Sequence, residues 1–190
     1  MQSFAIAAGV VALAEIGDKT QLLSLILAAK YRRPWPICLG ILCATVVNHA
    51  LAGGIGELLA RWLTPLVTHW IVVVSLLAMA LWTLVPDKVD EDAAGGRIGR
   101  SVLLTTIVAF FLAEMGDKTQ VATMVLAAQY HPLWQVVAGT TVGMLLANVP
   151  VVWLGSRFAT RLPLRATRLA AAALFAILAV WILIAGVSPP

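Results

Sequence analysis

Charge is what this sequence has least of. Only 12% of its 190 residues are Asp, Glu, Lys or Arg, against about a quarter in a soluble domain. With 61% hydrophobic residues, too little polar surface remains to coat a water-soluble globule, so that class is excluded. Cysteine is nearly absent as well, at Cys38 and Cys43 alone. Five positions apart on a helix, the two thiols point about 140° from one another. No CxxC pattern accompanies them, so neither a disulfide framework nor a thiolate zinc site is expected. A GxxxxGK(S/T) loop is missing, which removes a phosphate-binding reading of "GDKT". No nucleophile–base set stands out either, so an enzyme is not expected. The net charge of +4 is not a nucleic-acid footprint, because the basic residues lie scattered in short connections. The N-terminal stretch has no basic leader region and no small-residue cleavage site, and it reads as a mature first helix.

Long apolar runs are what the chain has in abundance. A spanning helix needs about 20 mainly apolar residues. Six windows meet this, roughly 4–29, 36–59, 66–86, 102–128, 133–155 and 167–187. The expected fold is all-α and integral to the membrane. Displaced by 99 residues, the sequence overlays itself. "EIGDKTQLLSLILAAKY" meets "EMGDKTQVATMVLAAQY" with ten identities in seventeen positions. Trp35 meets Trp134, Gly40 meets Gly139, Gly56 meets Gly155 and His49 meets Asn148. The chain is therefore read as a duplication: repeat 1 over 1–86, a linker over 87–101 and repeat 2 over 102–190. Three spans per repeat is odd, so the six transmembrane helices form an inverted 3+3 repeat, an arrangement common in secondary transporters.

Basic residues orient it. Lys30, Arg32, Arg33, Lys88, Arg97, Arg100, Arg157, Arg161, Arg165 and Arg168 fall on one side, and only Arg61 on the other. The positive-inside bias makes the first side cytoplasmic. The loops 30–35, 87–101 and 156–168 are then cytoplasmic and both termini lie outside. Tryptophans cluster near segment ends and read as an interfacial belt. Membrane lipid is the expected surroundings, and a homo-oligomer is left open.

Against that background the two charged motifs are expensive. Glu15, Asp18 and Lys19, and again Glu114, Asp117 and Lys118, sit mid-span, where each charge costs about 2.5–3.5 kcal/mol on insertion scales. They must face protein or a wet cavity, and each other. On an unbroken helix Glu15 and Asp18 share a face, and Lys19 stands at the i,i+4 position that favours a Glu–Lys pair. Gly17 and Gly116 permit either close helix approach or local unwinding. Thr20, Gln21, Thr119 and Gln120 add neutral oxygens. The two motifs together sum to −2, which one divalent cation neutralises. Oxygen ligands suit calcium, magnesium or manganese, and without metal the crowded acids take up protons. His49 is read as a ligand, a proton relay or a hydrogen-bonded interhelix histidine, and Asn148 as ligand or interhelix glue. Pro150 frees a backbone carbonyl mid-segment. Glu57 and the acidic run Asp87, Asp90, Glu91 and Asp92 read as solvated.

Two copies of Glu-x-Gly-Asp-(Lys/Arg)-(Thr/Ser), at Glu15–Thr20 and Glu114–Thr119, resemble a cation–proton exchanger family. That family includes eukaryotic Golgi manganese/calcium exchangers and bacterial manganese exporters, and the resemblance runs from Phe4 to about Val187. It implies export of a divalent cation, Mn2+ before Ca2+, against protons, with Glu15, Asp18, Glu114 and Asp117 as metal ligands. It also implies a bacterial inner membrane, with the cation and protons as cargo and no permanently bound cofactor. A passive cation channel and a non-transporting scaffold are the rivals.

Overall fold

The computed structural model describes residues 1–85, 101–154 and 164–186, and all regular structure among them is helical. Among these residues eight helices follow in order: α1 (Gln2–Glu15), α2 (Lys19–Tyr31), α3 (Pro34–Trp62), α4 (Pro65–Thr83), α5 (Val102–Glu114), α6 (Lys118–Gln129), α7 (Leu133–Leu154) and α8 (Leu164–Ala185). The sequence explains most boundaries. Arg32 takes a left-handed conformation and its N–H caps the Ala28 carbonyl, ending α2. Proline then opens both α3 and α4, where its missing N–H costs nothing. Thr64 and Ser101 cap α4 and α5 with their hydroxyls. The linker 87–101 lies outside the described residues except for Ser101. So do the acidic run at 87–92 and most of the 156–168 loop.

Among the described residues four helices are long and apolar enough to cross a membrane: α3, α4, α7 and the Arg168–Ala185 part of α8. The first and fourth sequence windows are each two helices, not one. Gly17 at φ 83° and Gly116 at φ 73° carry the breaks, conformations open to glycine because it has no Cβ. α4 turns a stripe of Leu66, Trp70, Val74, Leu77 and Leu81 outward, spaced to lie along one helix face. A continuous apolar stripe of that length belongs in lipid, so the chain is a membrane protein.

The contacts define two ends of the bundle. At one end the Met1 ammonium donates to Gln135 Oε1 at 2.9 Å, and Ser3 Oγ donates to the His131 carbonyl at 2.9 Å. The C-terminal half of α3 joins them there, since Gly53 faces Leu133. At the other end Trp35, at the start of α3, meets Trp153, near the end of α7, edge to face with centroids 5.4 Å apart. Gly40 packs there against Thr106 of α5. The matched helices α3 and α7 thus run in opposite directions, and α1 and α5 approach the middle from opposite ends. α4 and α8 pack on each other beside this core.

Glycine permits the closest helix approaches. A Cβ on Gly56 would lie 2.1 Å from the Met124 carbonyl oxygen, whereas one on Gly54 would meet nothing within 4 Å. The two neighbours therefore carry opposite expectations. Gly54→Ala should gain up to about 1 kcal/mol of helix propensity. Gly56→Ala should lose about 1–3 kcal/mol net through overpacking against backbone. Thermal unfolding of the purified variants in detergent checks this, and equal midpoints would contradict the α3–α6 contact.

Candidate metal centre

Both breaks fall inside the two repeated motifs, and each is built the same way. Glu15 ends α1, Ile16 turns extended, Gly17 takes a positive φ and Asp18 stands at the N-cap of α2. Glu114, Met115, Gly116 and Asp117 repeat this between α5 and α6. The Asp18 N–H donates to the Glu15 carbonyl at 3.0 Å and that of Asp117 to Glu114 at 3.1 Å. Gln21 and Gln120 suture the turns, their Oε1 atoms accepting from the Gly17 and Gly116 N–H groups at 2.9 and 2.8 Å. Their amide nitrogens reach into the other repeat: Gln21 donates to the Ala147 carbonyl and Gln120 to Asn48 Oδ1. The glutamine oxygens expected as neutral ligands thus hold the broken backbone.

Aspartate at an N-cap ordinarily bonds the first free N–H groups of its helix. Asp18 and Asp117 make no such side-chain bond. Their carboxylates are turned to lysines of the opposite repeat. Lys19 Nζ lies 3.1 Å from Asp117 Oδ1, and Lys118 pairs with Asp18. The intra-motif Glu–Lys pair expected on an unbroken helix is thereby replaced. The break puts Glu15 on α1 and Lys19 on α2, so the i,i+4 register no longer holds.

Glu15 and Glu114 are completely buried. Each has one oxygen engaged and one free. Thr20 donates to Glu15 Oε2, which also takes Asn148 Nδ2 at 3.4 Å. Thr119 donates to Glu114 Oε2 at 2.8 Å. Oε1 of both glutamates has no hydrogen-bond partner among the described residues. Oxygens from Glu15, Glu114 and Asp117 all lie within 4.8 Å of one another. Ligands 2.0–2.6 Å from one hard cation stand up to about 4–5 Å apart, so the three fit a single ion. The structure thus gathers three of the four expected carboxylates, and Asp18 instead holds Lys118.

The outer positions are unequal. Asn148 is fully used: its Oδ1 accepts from Ser24 at 2.8 Å, and its Nδ2 faces Glu15, the Met144 carbonyl and Met144 Sδ. Its counterpart His49 is buried with neither ring nitrogen partnered among the described residues. Thr45 Oγ1 and Asn48 Nδ2, on the same face of α3, share that condition. Pro150 does not end α7, which continues to Leu154. Sequence reasoning passed over Ser24 and Met144. The signal for Ser24 was present, because it matches Thr123 in the 99-residue register, a hydroxyl facing a hydroxyl inside apolar halves.

Comparison with known proteins finds a family and relatives. The family described as divalent cation/proton antiporter GDT1 matches residues 3–91 and again residues 102–190. A Vibrio cholerae serotype O1 protein named "Putative manganese exporter" is 51% identical over 180 residues, covering 94% of this chain and 89% of its own. A GDT1-like protein of Synechocystis is 28% identical, covering 90% and 91% of the two chains. GDT1-like protein 5 of Arabidopsis thaliana is 27% identical, covering 93% of each. No solved structure matches the chain.

Proposed function

The chain belongs to the GDT1 family of divalent cation/proton antiporters, and from that premise we propose that it exports Mn2+, with Ca2+ as second choice, in exchange for protons. Cation transport itself follows from membership, since the family is one of transporters and not of enzymes. One observation carries the finer reading. Three buried carboxylates from both motifs converge within 4.8 Å, and two of them keep a free oxygen. A network serving only to lock helices would have no reason to leave buried acceptors empty, because each costs desolvation. All three oxygens are hard ligands, which suits manganese or calcium. The relative named for manganese export favours the first. Alternation follows from chemistry: the acids hold either a divalent ion or protons, and the −2 sum of the motifs matches two protons per cation.

The proposed frame is six spans arranged as an inverted repeat. Together α1 and α2 hold 14 and 13 residues, about 40 Å of helix at 1.5 Å per residue, enough to cross jointly. The opposed directions of α3 and α7 and the two separate family matches support the inversion. The end carrying Trp35 and Trp153 is then cytoplasmic, both termini face outward and the membrane is the bacterial inner membrane. Cation enters between the motifs from the cytoplasm, the repeats rock, and protons replace it from outside.

Proteoliposomes carrying a manganese-sensitive and a pH-sensitive dye test this. An imposed pH gradient should drive Mn2+ movement, and a Mn2+ gradient should move protons the other way. Metal flux with no proton response would make the protein a channel. Absence of any flux, with the Glu15→Gln protein as stable as the native one, would make it a scaffold.

A further inference from the structure

Of the three converging acids, Asp117 is the one already occupied by a cation. Glu15 and Glu114 each spend one oxygen on a threonine and leave the other free. Asp117 is held differently: Oδ1 carries the Lys19 ammonium at 3.1 Å, and Oδ2 has only a longer, 3.3 Å contact with the Thr119 hydroxyl, whose one proton serves Glu114 at 2.8 Å. A divalent ion bound by all three acids would take an oxygen of Asp117. Whichever oxygen it takes, the ammonium is left within about 5 Å of a double positive charge, and the two repel strongly at that range. Lys19 has room to leave, since 26% of its side chain is exposed. Its head is a compact, strongly hydrated charge on a flexible stem. Lys118 is its opposite. Only 4% of that side chain is exposed, and it pairs with Asp18, which is outside the three-acid cluster.

We propose that Lys19 is a tethered stand-in for the cargo, seated on Asp117 in the metal-free protein and displaced when the cation binds. Lys118 stays in place throughout. The two repeats, alike in sequence at this position, therefore divide the work: one lysine competes with the ion and the other fixes the frame. In the metal-free, proton-loaded carrier the seated ammonium keeps Asp117 neutralised, so the site can be carried back through the bilayer with its protons. The inference rests on the cation reading above and adds a residue-level order of events to it.

Equilibrium binding of Mn2+ to the full-length protein in detergent, read from the electron paramagnetic resonance signal of free Mn2+, tests it beside flux in proteoliposomes. Lys19→Met removes the competitor. Its Kd for Mn2+ should fall roughly tenfold, while its flux should also fall, because the return step loses its neutralising charge. Tighter binding with slower transport is a split that a merely structural lysine would not produce. Lys19→Arg keeps the charge and should stay near the native Kd. A labelling experiment on the unaltered protein guards against a misfolded variant. Mn2+ should raise the rate at which an amine-reactive reagent modifies Lys19, with no change at Lys118. Unchanged or weaker Mn2+ binding in a folded Lys19→Met protein, or labelling of Lys19 indifferent to Mn2+, overturns the proposal. Failure of the native protein to bind Mn2+ at all would instead overturn the cation reading beneath it.

Discussion

Glu15→Gln, and separately Glu114→Gln, should cut Mn2+ flux in proteoliposomes roughly 100-fold, the upper end of what loss of a supporting group costs a metal site. The substitution is nearly isosteric. The amide oxygen can still accept from Thr20, or from Thr119 in the second motif, so the break keeps its brace. What is lost is the unengaged anionic oxygen, the part of each side chain that does nothing for the fold. Stability should therefore hold, and removal of a buried charge can even raise it. The thermal midpoint should stay within about 3 °C of native or rise. The pair of readings is the test. Flux retained in both variants would remove the glutamates from the cation path, and a collapse of stability would make them structural.

Lys118→Met should give the largest loss of stability of any single lysine change. Lys118 is 3% exposed and Asp18 not at all. Taking one partner from a buried ion pair leaves the other charge uncompensated, at about 3–5 kcal/mol. Removing both charges, as Lys118→Met with Asp18→Asn, should recover a substantial part, because the penalty lies in the orphaned charge and not in the missing attraction. Lys19→Met should cost less, since Lys19 itself is 26% exposed against 4% for Lys118, although the Asp117 it leaves is buried. Thermal unfolding in detergent and monodispersity on size exclusion give the comparison. A Lys19 variant less stable than the Lys118 variant would contradict the assignment of frame and competitor.

Much of the architecture was legible from residues. A register of 99 brought the two motifs into correspondence, and glycine at the middle of an otherwise apolar run admitted either close helix approach or the interruption the helices show. Buried acids in a chain this poor in charge had to converge. The lysine partners were not legible. The i,i+4 rule assumes a continuous helix, and once Gly17 interrupts it, Lys19 starts a new helix with a new azimuth. Which acid of the distant copy it meets depends on how two repeats dock, and periodicity carries no such information. The same limit explains why the four acids looked equivalent in sequence. The motifs differ at one letter, Ile16 against Met115, yet in the folded chain Asp117 joins the glutamates and Asp18 does not. The bracing role of the glutamines was hidden for a related reason: a side-chain amide near an acid reads as a ligand until the glycine N–H it accepts from is known.

The crossed lysine bridges also bear on how the protein is made. Asp18 and Lys19 find their partners in Lys118 and Asp117, which leave the ribosome about a hundred residues later, some five to twenty seconds at the usual pace of synthesis. In the proposed six-span frame, a first motif seated at mid-depth during that interval would lack these partners, and each charge there costs about 2.5–3.5 kcal/mol. The α1–α2 segment is therefore a poor passenger by itself and a good one in company. It should reach its final depth last among the early segments, when the second motif arrives to receive it, so assembly of the carrier and completion of its charge pairs are a single event.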